Sequence, residues 1–439
     1  MPETIETEGQ PSVDRPDDVE ALGRERHRAG DYPTVTPQQA WEQLRATGKL
    51  TGVRVSHLQF SGEIVHGIEL NDVILDRPQF HKAVFKAAVR FFRCTINGAK
   101  FHRQTRFEQQ FLLKACQLRR LSRMELNCRG GLSLDTCQVH GPLTLVDSEL
   151  SSIRLWASEF DNWLEFKRCT FTGPADMRSF QANQGVIFGG CHFQQDVLLR
   201  GASIIKKLDF ADAKIDQLVD LSKAKLSDYV YLEQIQMSPQ TTFCFQNAVA
   251  DRILINSGQL DGRMQSERAA QYTQAMEEYG LLKAVFQSLH RFDEEDWAFY
   301  RFKVNRRRSR SRSWWRPWSK LGQLCDLLFL DFGCGYGTRP SRAILSSLSV
   351  IVLFALIYAS GIEHFKVDHP PLPGDPLSTI PNRVLFGLIT SVSVFTSGFG
   401  GNPLESSHGW MLIPLTLEAL VGTFLWGLFV VAYSRKVIR

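Results

Sequence analysis

Between residues 83 and 226 one local pattern keeps returning, a small residue followed two places later by a large apolar one. It is spelled AVF at Ala83, CTI at Cys94, TRF at Thr105, CQL at Cys116, CQV at Cys137 and SEL at Ser148. It continues as SEF at Ser158, CTF at Cys169, CHF at Cys191, ASI at Ala202, AKI at Ala213 and AKL at Ala224. Starts lie 10 or 11 residues apart, or about twice that from 116 to 137 and from 169 to 191. A period of two belongs to strands, and no regular helix produces it. A strand pattern restarted at a fixed interval predicts a solenoid. The small and large residues then point inward and fill a narrow tube by alternating in size. The residue between them points out.

The pattern changes on either side. TPQQAWEQLRATG, Thr36 to Gly48, predicts a capping helix with Thr36 at the N-cap and Pro37 in the first helical position. A polar cap keeps the end of a solenoid from pairing with another molecule. Beyond the repeat, apolar residues recur at threes and fours: Tyr272, Met276, Tyr279, Leu282 and Phe286, followed by Trp297, Tyr300 and Phe302. That spacing predicts two antiparallel helices broken around Arg291–Glu294. LGQLCDLLFLDF, Leu321 to Phe332, predicts a cuff helix along a membrane surface.

The last hundred residues are far more apolar than the rest. AILSSLSVIVLFALIYASGI, Ala343 to Ile362, carries no charge. As a helix it is about 30 Å long, the thickness of a bilayer core. WMLIPLTLEALVGTFLWGLFVVAY, Trp410 to Tyr433, is a little longer and carries one charge, Glu418. Both predict membrane spans. Between them VLFGLITSVSVF, Val384 to Phe395, is too short to cross and predicts a re-entrant half-helix.

Charge sets the orientation. NRRRSRSRSWWRPWSK (Asn305 to Lys320) precedes the first span and SRKVIR (Ser434 to Arg439) follows the second. Basic flanks face the cytoplasm, so the topology is in-out-in, with both termini cytoplasmic. Trp314, Trp315, Arg316 and Trp318 form an interfacial anchor of the usual Trp-with-Arg kind. The Arg-Ser tract also fits RNA, but beside a span it favours lipid headgroups; nucleic acid is not expected as a partner. The first thirty residues are polar and acidic and predict a disordered tail without a signal peptide. The nine Cys show no metal spacing. Most of them occupy the small position of the repeat, which predicts buried thiols in a reducing compartment. The domains are then 1–35 tail, 36–50 capping helix, 51–260 repeat, 261–342 helical linker and basic segment, and 343–439 membrane module.

Two stretches contain Gly-aromatic-Gly, DFGCGYGTRP from Asp331 and VFTSGFGGNP from Val394. The first precedes the first span on the cytoplasmic side and predicts a tight turn. The second follows the half-helix. Span, half-helix, TSGFG and span together resemble the two-transmembrane pore module of potassium-channel-like proteins, over Ala343–Arg439. The resemblance implies a filter at Thr396, Ser397, Gly398, Phe399 and Gly400, whose carbonyls replace the hydration shell of a cation, with four copies around one pore. It also implies that half-helices aim their C-terminal dipoles at the cavity. Gly422, within the second span, matches the position where the inner helix bends. Phe399 stands where the family has Tyr, Ser397 where it has a branched residue, and Gly401 where it has Asp; each departure loosens strict potassium selectivity. Glu418 is by default a functional group within a span, in either protonation state, or else a brace holding the filter from behind. Its place less than three turns into the span favours the brace.

The solenoid pattern resembles pentapeptide repeats. That family implies a right-handed β-helix of four-sided coils, here two 11-residue units per coil, with six or seven coils in a rod of about 30 Å. The whole chain is therefore expected to be a homotetrameric cation channel of potassium type in a bacterial inner membrane. Its gate answers to a cytoplasmic rod that meets an unidentified ligand or partner. No cofactor is expected beyond the permeating monovalent cation. The alternative is a non-conducting, membrane-anchored scaffold that presents the rod. An enzyme finds no support, because no nucleophile, base and acid stand at a readable spacing and buried thiols are poor nucleophiles.

Overall fold

A computed structural model describes residues 32–102, 104–120, 127–310, 326–365, 379–397 and 409–438. Among them, every pairing of named strands is parallel, and a strand meets the one two repeat units further along, as in Arg54↔Ile74 and Leu218↔Thr242. Near the middle the same step pairs Gln117↔Gln138 and Glu159↔Gln181. Two 10- or 11-residue units thus make one turn of a parallel β-solenoid. One of its faces is a ten-stranded sheet running from Lys49–Thr51 to Thr242–Cys244.

Ten coils exceed the six or seven expected. The extra coils lie at the two ends, where the inward small position holds larger residues. Leu58 and Val73 fill it before residue 83, and Ile235 fills it after residue 226; all three are buried. The alternation persists there, but the contrast in size that makes it legible is lost at these positions. Ten coils at the ~4.8 Å strand spacing give a rod of about 45 Å.

The small position has a chemical reason. The thiols of Cys94, Cys116 and Cys137 point at carbonyls of the preceding coil, Leu70, Phe91 and Leu113, at 3.3–3.4 Å. Ser158 and Thr105 donate to Leu134 and Phe80 in the same way, at 2.7 and 2.9 Å. Cys, Ser and Thr are small enough to sit against the backbone and carry the donor it needs. The large position stacks between coils: Phe171 on Phe193 with centroids 4.6 Å apart, Phe80 on Phe101 at 4.3 Å. Parallel offset rings match the strand spacing, so phenylalanine ladders satisfy both packing and coil geometry. The corner before one column of small residues takes positive φ in coil after coil: Arg93, Ala115, Thr136, Ala157, Ser179, Gly201 and Lys223, between 50° and 69°.

Both ends are covered. Helix α1 (Pro37–Thr47) starts at Thr36, whose side chain and that of Gln39 form a reciprocal capping box, and stops at Gly48 in the left-handed conformation. At the other end single helical turns at Ser257–Leu260 and Gln265–Arg268 lead into an antiparallel hairpin. Its helices are α2 (Tyr272–Ser288) and α3 (Phe292–Ser309). The break falls at 289–291, at the leading edge of the expected one. Tyr279, Leu282 and Phe286 join the rod's own core.

Three apolar helices complete the described chain: α4 (Pro340–Ser360), α5 (Ile380–Ser397) and α6 (Leu412–Val437). Helices α4 and α6 are long and apolar enough to cross a membrane. Only 22% and 33% of their most apolar stretches are buried, so they are not interior helices of this fold. Helix α5 is longer than the apolar run that announces it, because Ile380 and Pro381 start it one turn early. The expected cuff helix appears only from Asp326, as a π-helical turn to Phe332; its first residues lie outside the described ones.

Candidate functional site

Helices α4, α5 and α6 meet around one carboxylate. Glu418 is fully buried. It accepts a hydrogen bond from the Tyr358 hydroxyl of α4 at 2.5 Å and another from Ser391 of α5. Ser391 divides its one proton between Glu418 and the Ile351 carbonyl, 2.9 Å away. Among the described residues no cation pairs with Glu418. Each helix supplies one member of the cluster, so the carboxylate fixes the two long helices to the short one. Apolar packing surrounds it: Phe354, Phe365, Val394, Met411, Leu415 and Ala419.

Two glycines set the approach of the helices. A Cβ on Gly387 of α5 would collide with the Ala355 carbonyl of α4. A Cβ on Gly422 of α6 would stand 3.0 Å from the ring and the carbonyl oxygen of Phe395. Gly422 therefore lies against the last turn of α5, at the residue just before TSGFG.

The sequence-predicted filter is only partly within the described residues. Thr396 and Ser397 are the last two residues of α5. Thr396 is exposed, and its hydroxyl bonds back to Val392 O at 2.7 Å. Gly398, Phe399 and Gly400 lie outside the described residues, as do Trp314, Trp315, Arg316 and Trp318. The other Gly-aromatic-Gly stretch lies wholly within them. Gly335, Tyr336 and Gly337 have φ of 57°, 56° and 81°, a left-handed turn directly before α4. That turn packs against α3, α4 and α6 together.

The turn belongs to a polar junction. Arg307 of α3 pairs with Asp331 at 2.6 Å and donates to the Tyr336 hydroxyl at 3.0 Å. The Tyr300 hydroxyl donates to Asp331 at 2.8 Å. Arg339 and Arg342 lie over the Tyr300 ring, 5.2 and 5.5 Å from its centre. At the far end of α6, Arg435 pairs with Asp296 at 3.0 Å and covers the Phe299 ring at 4.4 Å. Lys436 reaches Asp293 at 3.9 Å.

A second buried carboxylate joins the hairpin to the rod. Glu278 of α2 accepts from the Phe245 backbone N–H at 2.8 Å and from Ser266. Burial pushes its carboxyl above the usual range, and those two hydrogen bonds pull the other way.

No family model matches the chain, and no curated protein matches it. Among the described residues no group of three or more His, Cys, Asp or Glu side chains could hold a metal ion. Sequence reasoning singled out Glu418 and Gly422 but missed Tyr358, Ser391 and Gly387. Tyr358 and Ser391 stand on other helices, far along the chain from their acceptor, and leave no local signal. A glycine inside a helical run marks close approach only once the crossing is known.

Proposed function

We propose that this chain is one subunit of a tetrameric cation channel of potassium type, lodged in an inner membrane with both termini in the cytoplasm. Helices α4 and α6 span the bilayer. Helix α5 re-enters and points its C-terminal carbonyls toward the centre, where the negative end of its dipole favours a cation. TSGFG, beginning at Thr396, continues from that end as the filter. The observation that carries this reading is the Glu418 cluster. A short apolar helix is held between two long ones by a buried carboxylate, whose partner Ser391 stands just ahead of the sequence that resembles a filter. Glu418 then acts as a brace for the helix under the filter, and Gly422 leaves room beside it. The rod stands in the cytoplasm as the part that meets a ligand or partner and influences the gate.

Flux decides the matter. The purified protein in liposomes is expected to pass potassium faster than sodium, and Gly398→Ala is expected to abolish the flux. The mass in detergent is expected to be that of four chains. A dimer, or flux unchanged in Gly398→Ala, would sink the pore. Silence under every voltage and pH would leave the scaffold that presents a rod.

A further inference from the structure

Helix α3 has two polar faces about a third of a turn apart. At 3.6 residues per turn, Asp296, Phe299, Tyr300 and Arg307 share one face. All four contact the membrane module or the segment that leads into it: Asp296 and Phe299 through Arg435, Tyr300 and Arg307 through Asp331. Trp297, Arg301 and Arg308 share the other face. They contact the end of the rod: Trp297 Nε1 donates to Asp261 at 3.3 Å, Arg301 pairs with Asp261 and Glu267, and Arg308 with Glu267 at 3.4 Å. Arg291, just ahead of the helix, adds a pair to Glu233 of the rod at 2.6 Å.

The bonds to the membrane module are sheltered. Side-chain exposure is 16% and 13% for Arg307–Asp331, and 25% and 13% for Arg435–Asp296. Pairs so screened from water couple their partners more firmly than surface pairs do. Asp331 lies ahead of α4 and Arg435 is in the last turn of α6. One rigid helix therefore holds the cytoplasmic ends of both long apolar helices on one side and the rod on the other.

We propose that α3 is a two-faced bar through which the rod regulates the pore, with Arg307–Asp331 and Arg435–Asp296 as its attachments to the moving helices. The regulatory half rests on the channel reading above; the mechanical coupling does not. Tilting α3 displaces the end of α6 against the start of α4, and Gly422 and Gly427 are where α6 lacks a side chain to resist bending.

The test uses the full chain in liposomes, with amide hydrogen exchange and cation flux as separate readouts. It compares the native protein, Arg435→Asp, and the swapped pair Asp296→Arg/Arg435→Asp. Arg435→Asp is expected to raise exchange at least about fivefold, the low end of site-to-site coupling. The rise is expected both in the last turn of α6 and in Ser257–Leu260 and Gln265–Arg268, at the end of the rod beside the other face of α3. The swapped pair is expected to restore both regions. Flux is expected to shift by a similar factor in the single variant, with an unchanged potassium-to-sodium ratio, and to return in the double. Exchange that rises only in α6 overturns the proposal. So does a measurable flux that is equal in all three proteins. Coupled exchange with all three silent keeps the bar and overturns the channel. Should Arg435→Asp fail to fold, Asp331→Asn probes from the other attachment, and unchanged exchange at the end of α6 would then overturn the bar.

Discussion

The rod and the apolar helical module, α4 to α6, place charge and apolar surface in opposite ways. In the rod the interior holds Phe, Leu and Cys, and charges pair across neighbouring coils on the outside, as in Arg93–Asp72 at 2.6 Å and Arg168–Asp147 at 2.7 Å. In the helical module the outside is apolar, with Leu345, Val352, Leu356, Leu417 and Leu420 all more than half exposed. The carboxylate of Glu418 is at its centre. The rod repeats one solution ten times. The helical module relies on contacts made once. A rod interior averages over many equivalent layers, whereas the helices meet at two or three irreplaceable points.

The sharpest break of that contrast is Gly387→Leu. The side chain would meet the Ala355 backbone, which cannot rotate away. The cost is expected to exceed the ~1–3 kcal/mol usual for overpacking. Loss of a single oligomeric peak in detergent, with the rod's circular dichroism intact, would show that one helix crossing fails alone. Next comes Phe171→Ala, which removes one rung from a stacked ladder. A loss of about 3–5 kcal/mol in urea unfolding is expected. A smaller loss would mean that the neighbouring coils close the gap and that the repeat is more forgiving than its packing implies.

The next two changes compare buried carboxylates. Tyr358→Phe takes from Glu418 one of its two hydroxyl donors. A cost of about 1–3 kcal/mol in thermal unfolding in detergent is expected. No cost would show that Ser391 alone satisfies the carboxylate. At the end of the rod, Glu278 has its pKa raised by burial. Folding then favours its neutral form, so its contribution to stability is fully present below the unfolded carboxyl pKa and fades as pH rises through the folded value. Glu278→Gln keeps an acceptor for the Phe245 N–H and removes the charge. A melting-temperature scan upward from about pH 4, near the unperturbed carboxyl pKa, is expected to show a decline in the native protein that the variant lacks. Parallel curves would place no proton uptake at Glu278.

These residues also mark how far the sequence could be read. The coils were legible because Cys94, Cys116 and Cys137 repeat a size contrast that only a tube interior demands. The end coils were not, because Leu58 and Val73 keep the alternation and lose the contrast. Glu418 announced itself as a charge in an apolar run, and Gly422 through a spacing that resembles that of potassium-channel-like pore modules. Tyr358, Ser391 and Gly387 did not, since each acquires its meaning from a helix elsewhere in the chain. The ion pairs of α3 were hidden for the same reason: an Arg-rich helix reads as a solvated surface until Asp331, Asp261 and Glu267 are placed beside it.

The pairing of each strand with the one two units further along makes the rod a ruler graduated in coils. Gln138↔Glu159 and Glu159↔Gln181 keep the same column in register one coil apart. Removing a stretch equal to one coil would bring the next coil under the previous one with every face still in phase, shortening the rod by ~4.8 Å. Removing half as much would leave inner residues inward but carry every column to the opposite face. The length of the rod can therefore change without turning its faces only in whole steps, and α3 with its attachments would then keep its side at the end of each.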